Sequence, residues 1–83
     1  MVRVRLFAAL RELAEAGELD ADGRTVGEVV DAVSRGRGER FAQIANVSSF
    51  VVNGERAARS SPVADGDEVA ILPPVSGGSR SLR

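Results

Sequence analysis

The sequence predicts an α+β domain in which one sheet packs on one main helix. Three observations carry this. Val2, Val4 and Leu6 alternate with polar residues, Val26, Val29, Val30 and Val33 form one helical stripe, and the β-prone runs Phe50–Val52 and Glu68–Leu72 are set off by turn dipeptides. An apolar helix stripe and apolar strand faces must cover one another, and one sheet on one helix satisfies them all.

The elements follow in order. The period-2 alternation of residues 2–6 is a half-buried strand starting almost at the N-terminus. Leu10, Leu13 and Ala14 then fall at i, i+3, i+4, with Arg11, Glu12 and Glu15 opposite, a short amphipathic helix that Gly17 should stop. Glu18 to Asp20 is a brief strand ended by Asp22-Gly23. Thr25-Val-Gly-Glu28 fits a capping box and opens the main helix, expected from Val26 to about Ser34, before the glycines of Arg35-Gly36-Arg37-Gly38 break it. A further turn is expected from Glu39 to Ala45, with Phe41 and Ile44 inward. Asn53-Gly54 suits a tight hairpin from Phe50–Val52 into a short strand at Arg56 to Ala58. Asp65-Gly66 marks another turn before the last strand, Glu68–Leu72, which Pro73-Pro74 stops.

Composition narrows the function. Eighty-three residues make one domain that buries roughly 60% of its unfolded surface, with no space for a deep pocket. The chain has no Cys and no His, so it lacks a thiol nucleophile, the usual structural-zinc ligands and the side chain that titrates near neutrality. All eleven basic residues are arginine, so no side-chain amine is available for a Schiff base or an isopeptide bond. A net charge of −1, with both signs interspersed, gives no field to attract nucleic acid. No apolar run approaches the ~20 residues of a membrane span, and the alternating N-terminus is unlike a signal peptide, so the expected location is cytoplasmic.

Several motifs fail on inspection. Asp20-Ala-Asp22 is not a calcium loop, because Arg24 and Thr25 stand at its fifth and sixth positions and Asp31 at its twelfth. Arg35-Gly-Arg37-Gly-Glu-Arg40 has no aromatic stacking partners and reads as a solvated loop. Glu12 and Glu15 read as solvent-facing charge.

The C-terminal run is different. Asp65-Gly-Asp-Glu-Val-Ala-Ile-Leu-Pro-Pro-Val-Ser-Gly77-Gly78, together with Leu6-Phe7-Ala8 leading into Arg11-Glu12-Leu13, resembles the small subunit of molybdopterin synthase, of the MoaD/ThiS family. The resemblance runs from Val2 to Gly78, is strongest at the two ends and weakest between Arg35 and Ser48. It implies a β-grasp (ubiquitin-like) fold: a mixed sheet of about four to five strands on one main helix, with one or two short helices. The domain would occupy residues 1–75, and residues 76–83 would be a flexible tail carrying Gly-Gly. Val-x-Gly-Gly after Leu72-Pro-Pro favours the pterin pathway over the thiamin carrier, whose ending resembles Ala-Val-Ala-Gly-Gly.

The resemblance also implies a mechanism. A ubiquitin-activating-like adenylyltransferase uses ATP and Mg to adenylate the terminal glycine, and a persulfide sulfur donor converts the acyl-adenylate to a thiocarboxylate. The large catalytic subunit of the synthase then receives the sulfur. The carrier binds no cofactor and no metal, acts as a non-catalytic donor, and has neither nucleic acid nor membrane as partner. The reactive group would be the carboxylate of Gly78, and Gly77 beside it would let the backbone thread a narrow channel. Pro73 and Pro74 cannot extend the hydrogen-bond ladder and would project the tail from the sheet. Strand alternation puts Phe7 on the face opposite Val2, Val4 and Leu6, so Phe7 and Leu72 are expected on an apolar patch that docks partners, with Val75 beside the tail. In directly acting carriers Gly-Gly ends the chain, whereas here Ser79-Arg-Ser-Leu-Arg83 follows, so a trimming protease is implied if those residues are native. Two rivals stand beside this reading: a carrier for another pathway, such as thiazole, cysteine or a sulfur-containing natural product, and a β-grasp interaction module without covalent chemistry.

Overall fold

The computed structural model describes residues 1–74. In chain order the elements are β1 (Val2–Leu6), α1 (Ala8–Ala14), β2 (Glu18–Ala21), α2 (Val26–Ser34), α3 (Glu39–Asn46), β3 (Ser49–Val52), β4 (Glu55–Ala57) and β5 (Glu68–Leu72). The five strands form one mixed sheet in the order β2-β1-β5-β3-β4. β1 and β5 are parallel neighbours at its centre, with Val4 opposite Val69 and Leu6 opposite Ile71, and every other pairing is antiparallel. This is the β-grasp architecture.

Side-chain alternation decides which face is covered. Val2, Val4 and Leu6 of β1, Phe50 of β3, and Val69 and Ile71 of β5 point to one side, where they meet Leu10 of α1, Val26, Val29, Val30 and Val33 of α2, and Phe41 and Ala45 of α3. The three helices thus cover one face and leave the other open. The main helix has the expected bounds, and the first half of its capping box forms as read, with Glu28 N donating to Thr25 Oγ1 at 3.2 Å; the return bond falls one residue earlier than the motif has it, Arg24 N and not Thr25 N donating to Glu28 Oε1 at 2.8 Å.

Three expectations are corrected. Leu13 is not a core residue but is 40% exposed, because the seven-residue α1 turns only Leu10 fully inward. Glu15, and not Gly17, ends α1: it takes a left-handed conformation (φ 56°), and the N–H groups of Glu15 and Ala16 cap the carbonyls of Glu12 and Arg11. The turn at Glu39–Ala45 is a full helix reaching Asn46, in which Phe41 and Ala45 are buried and Ile44 is only half-buried at the core edge. A spacing of four along an eight-residue helix keeps Phe41 and Ala45 on one face.

The loop from β4 to β5 closes the far end. Val26 N donates to Ser61 O at 2.9 Å and Gly27 N to Arg59 O at 2.8 Å, so the first N–H groups of α2 are already satisfied. Arg59 extends from this loop to Asp31 Oδ1 at 2.7 Å and Asn46 Oδ1 at 3.3 Å, tying α2 and α3 together.

Candidate functional site

The uncovered face of the sheet carries a group of half-buried apolar residues that the core does not use. Register sets them side by side. Leu6 pairs with Ile71 in the parallel β1/β5 ladder, so the next positions along, Phe7 and Leu72, are neighbours at the end of the face from which Pro73 departs. Leu72 is also opposite Ser49 of β3. One step back, Ala70 lies between Arg5 and Val51. Phe7, Val51, Ala70 and Leu72 are all half-buried, and none belongs to the core cluster or packs against it.

The backbone at Phe7 explains its placement. It holds the N-cap position of α1 with extended geometry (φ −135°, ψ 157°), continuing the strand one residue beyond β1. Ala8 then turns the chain with a positive φ of 51°, a conformation that costs a residue bearing a Cβ about 1 kcal/mol or more. The turn lets α1 start on the covered face while Phe7 stays on the open one. Arg5 lies over the ring, 5.6 Å from its centroid.

Among the residues expected at the site, Phe7 and Leu72 are thus brought together; Pro73 is half-buried and Pro74 exposed where the chain leaves β5. Val75, Gly77 and Gly78 lie outside the described residues, as does the tail from 76 to 83. Val51 and Ala70 complete the strip and were missed in the sequence, although alternation outward from Phe50 and Ile71 assigns both to the open face. Among the described residues no group of three or more acidic side chains could hold a metal ion, and no helix is long and apolar enough to cross a membrane. No buried side-chain polar atom among them lacks a hydrogen-bond partner. No polar or charged residue among the described ones is buried.

A β-grasp sheet with its helices on one side, an apolar strip on the other and Pro73-Pro74 leaving β5 beside that strip defines a ubiquitin-like domain. The chain belongs to the ThiS family of ubiquitin-like sulfur carriers, which it matches over residues 4–78. It is 39% identical to small archaeal modifier protein 1 of Haloferax volcanii, over 89% of this chain and 97% of that one. It is 37% identical to the molybdopterin synthase sulfur carrier subunit of Escherichia coli, over 94% of this chain and the whole of that one. Among solved structures, the Amycolatopsis orientalis BexX/CysO complex superposes with a TM-score of 0.77 at 28% identity, covering 94% of this chain and 100% of that one.

Proposed function

We propose that the protein carries sulfur as a thiocarboxylate on Gly78 and donates it in molybdopterin biosynthesis, as the small subunit of molybdopterin synthase. The observation that carries this is the apolar strip of Phe7, Leu72, Ala70 and Val51, lying where β5 hands the chain to Pro73-Pro74 and the Gly-Gly segment. A partner that covers the strip has the tail delivered into it, and no side chain of the domain need do chemistry.

The steps balance simply. An adenylyltransferase joins the Gly78 carboxylate to the α-phosphate of ATP with loss of pyrophosphate, making AMP the leaving group. A persulfide sulfur attacks the acyl carbon and expels AMP; reductive cleavage of the acyl disulfide by a thiol leaves the thiocarboxylate. Removal of residues 79–83 must come first, because only a free Gly78 carboxylate can be adenylated. The 37% identity to the Escherichia coli sulfur carrier subunit and the Leu72-Pro-Pro-Val-x-Gly-Gly ending support the pterin pathway.

A second reading is favoured by the 39% identity to a protein named as a modifier: the activated Gly78 carbonyl would pass to an amine of another protein and not to sulfur. Intact-mass analysis of the protein isolated from its native host separates the two. A chain ending at Gly78 with its terminal oxygen replaced by sulfur supports the carrier; the domain found only in amide linkage to other proteins supports the modifier. A chain found only with residues 79–83 in place contradicts both.

A further inference from the structure

The open face divides its charge unevenly. Register sets Glu18, Arg5, Ala70, Val51 and Arg56 in one row across all five strands, with Asp20, Arg3 and Glu68 in the row farther from Pro73. On the β2-β1-β5 side, three carboxylates therefore meet two guanidinium groups. Arg5 is shared there between Glu18 Oε2 at 3.9 Å and Glu68 Oε2 at 3.8 Å, and Arg3 reaches Glu18 at 4.0 Å.

Arg56 on β4 has a different setting. It is directly opposite Val51, so its side chain leaves on the open face, and among the described residues no carboxylate forms an ion pair with it. Glu55 and Asp67 line one surface hollow with Arg56, yet neither forms an ion pair with it. Asp67 accepts from Ala64 N and Asn53 Nδ2, and Glu55, opposite Val52, belongs to the covered side. One end of the apolar strip is thus flanked by a guanidinium already balanced by acids, and the other by one that is not.

A partner that covers Val51 and Ala70 takes water from the neighbourhood of Arg56, and an arginine that loses water without gaining a counter-charge weakens the complex. We propose that Arg56 is a specificity-determining residue of this face, and that the adenylyltransferase receiving the tail carries a carboxylate opposite it, beside the surface that covers the strip. This rests on the reading that the strip docks the tail's partner. The rival role for Arg56 is to keep the β4 edge from pairing with other chains, which needs no carboxylate on the partner.

The test uses protein ending at Gly78 and the purified adenylyltransferase of the host, with pyrophosphate release as readout, at about 0.1 M and about 1 M salt, where the Debye length falls from about 10 to about 3 Å. At low salt Arg56→Ala should raise KM for the carrier about threefold to fivefold with kcat unchanged, Arg56→Glu should raise it further, and Arg56→Lys should restore most of the loss. At high salt the four proteins should converge. Thermal melts identify a folding defect, which an exposed edge position should not produce. KM values and salt slopes for Arg56→Ala and Arg56→Glu that match wild type overturn the proposal. Absence of adenylation in the wild type overturns the carrier reading, and this inference with it, whereas a normal wild type beside indifferent variants overturns this inference alone.

Discussion

Asn53 and Asp67 are locked side chain to side chain: Asn53 Nδ2 donates to Asp67 Oδ1 at 3.1 Å, while Asn53 Oδ1 accepts from Glu68 N at 3.0 Å. The β3–β4 hairpin turn, with Asn53 at φ 49° and Gly54 at φ 88°, is thereby fastened to the start of β5. Asp67 Oδ2 also accepts from Ala64 N at 2.8 Å. The Ala64 N–H first, and Asn53 second, hold the Asp67 carboxyl below its ordinary value of 3.8. A carboxylate depressed in the folded state contributes stability above its unfolded pKa and loses it as pH falls through the folded one. Asp67→Asn should therefore flatten the fall in melting temperature below about pH 4. Some slope should remain, because Asp65 is held down in the same direction by a hydrogen bond from the Met1 ammonium at 2.8 Å. An unchanged acid limb in Asp67→Asn would show that the lock contributes nothing.

The helix face gives a paired prediction. Val30 is 1% exposed and Leu13 is 40% exposed, so the same substitution should have opposite outcomes. Val30→Asp strands a charge against the sheet and should unfold a domain with only about 5–10 kcal/mol in reserve. Leu13→Asp should change stability by less than about 1 kcal/mol. Denaturant unfolding of the two variants checks both, and equal losses would contradict the assignment of Leu13 to the surface.

Gly23 serves close approach as well as a turn. A Cβ there would lie 2.9 Å from the backbone nitrogen of Val29, so Gly23→Ala must push the β2–α2 loop off the helix it caps. A loss of about 1–3 kcal/mol is expected, measured by chemical denaturation. Wild-type stability in this variant would mean that the loop has room the structure does not show.

Phe7→Ala and Leu72→Ala should separate binding from folding. Neither residue packs in the core, so each variant should melt within a few degrees of wild type, while central apolar anchors typically cost about 2 kcal/mol in partner affinity on truncation. Val51→Asp and Ala70→Asp should weaken the same complex. Calorimetric titration with the large synthase subunit or the adenylyltransferase measures this, and full affinity in all four variants would remove the docking role of the face.

Much of this was legible in the sequence, and the losses have identifiable causes. Strong periodicity fixed α2 from Val26 to Ser34, and alternation separated Phe7 from Val2, Val4 and Leu6. Strand order was not readable: the parallel pairing of β1 with β5 joins residues more than sixty positions apart, and local patterns carry no such information. Leu13 misled because a short helix turns fewer residues inward than an i, i+3, i+4 match suggests. The roles of Arg59 and Asn46 depend on side chains meeting across loops, and neither has a local signature. The tail is the opposite case, since Gly77-Gly78 is legible in the sequence and lies outside the described residues.

The carrier account stands on what becomes of Gly78, and intact-mass spectrometry of the protein ending there tests it most directly. Deleting residues 79–83 should leave the melting temperature nearly unchanged, since the extension is mostly polar. After incubation with the host adenylyltransferase, ATP, Mg, a persulfide donor and a thiol reductant, the truncated chain should gain the mass difference of one oxygen exchanged for one sulfur at its terminus. The 83-residue chain should not, because its terminal carboxylate belongs to Arg83. Thiocarboxylate formation by the full-length chain with its tail demonstrably intact, as readily as by the truncated one, would contradict the account.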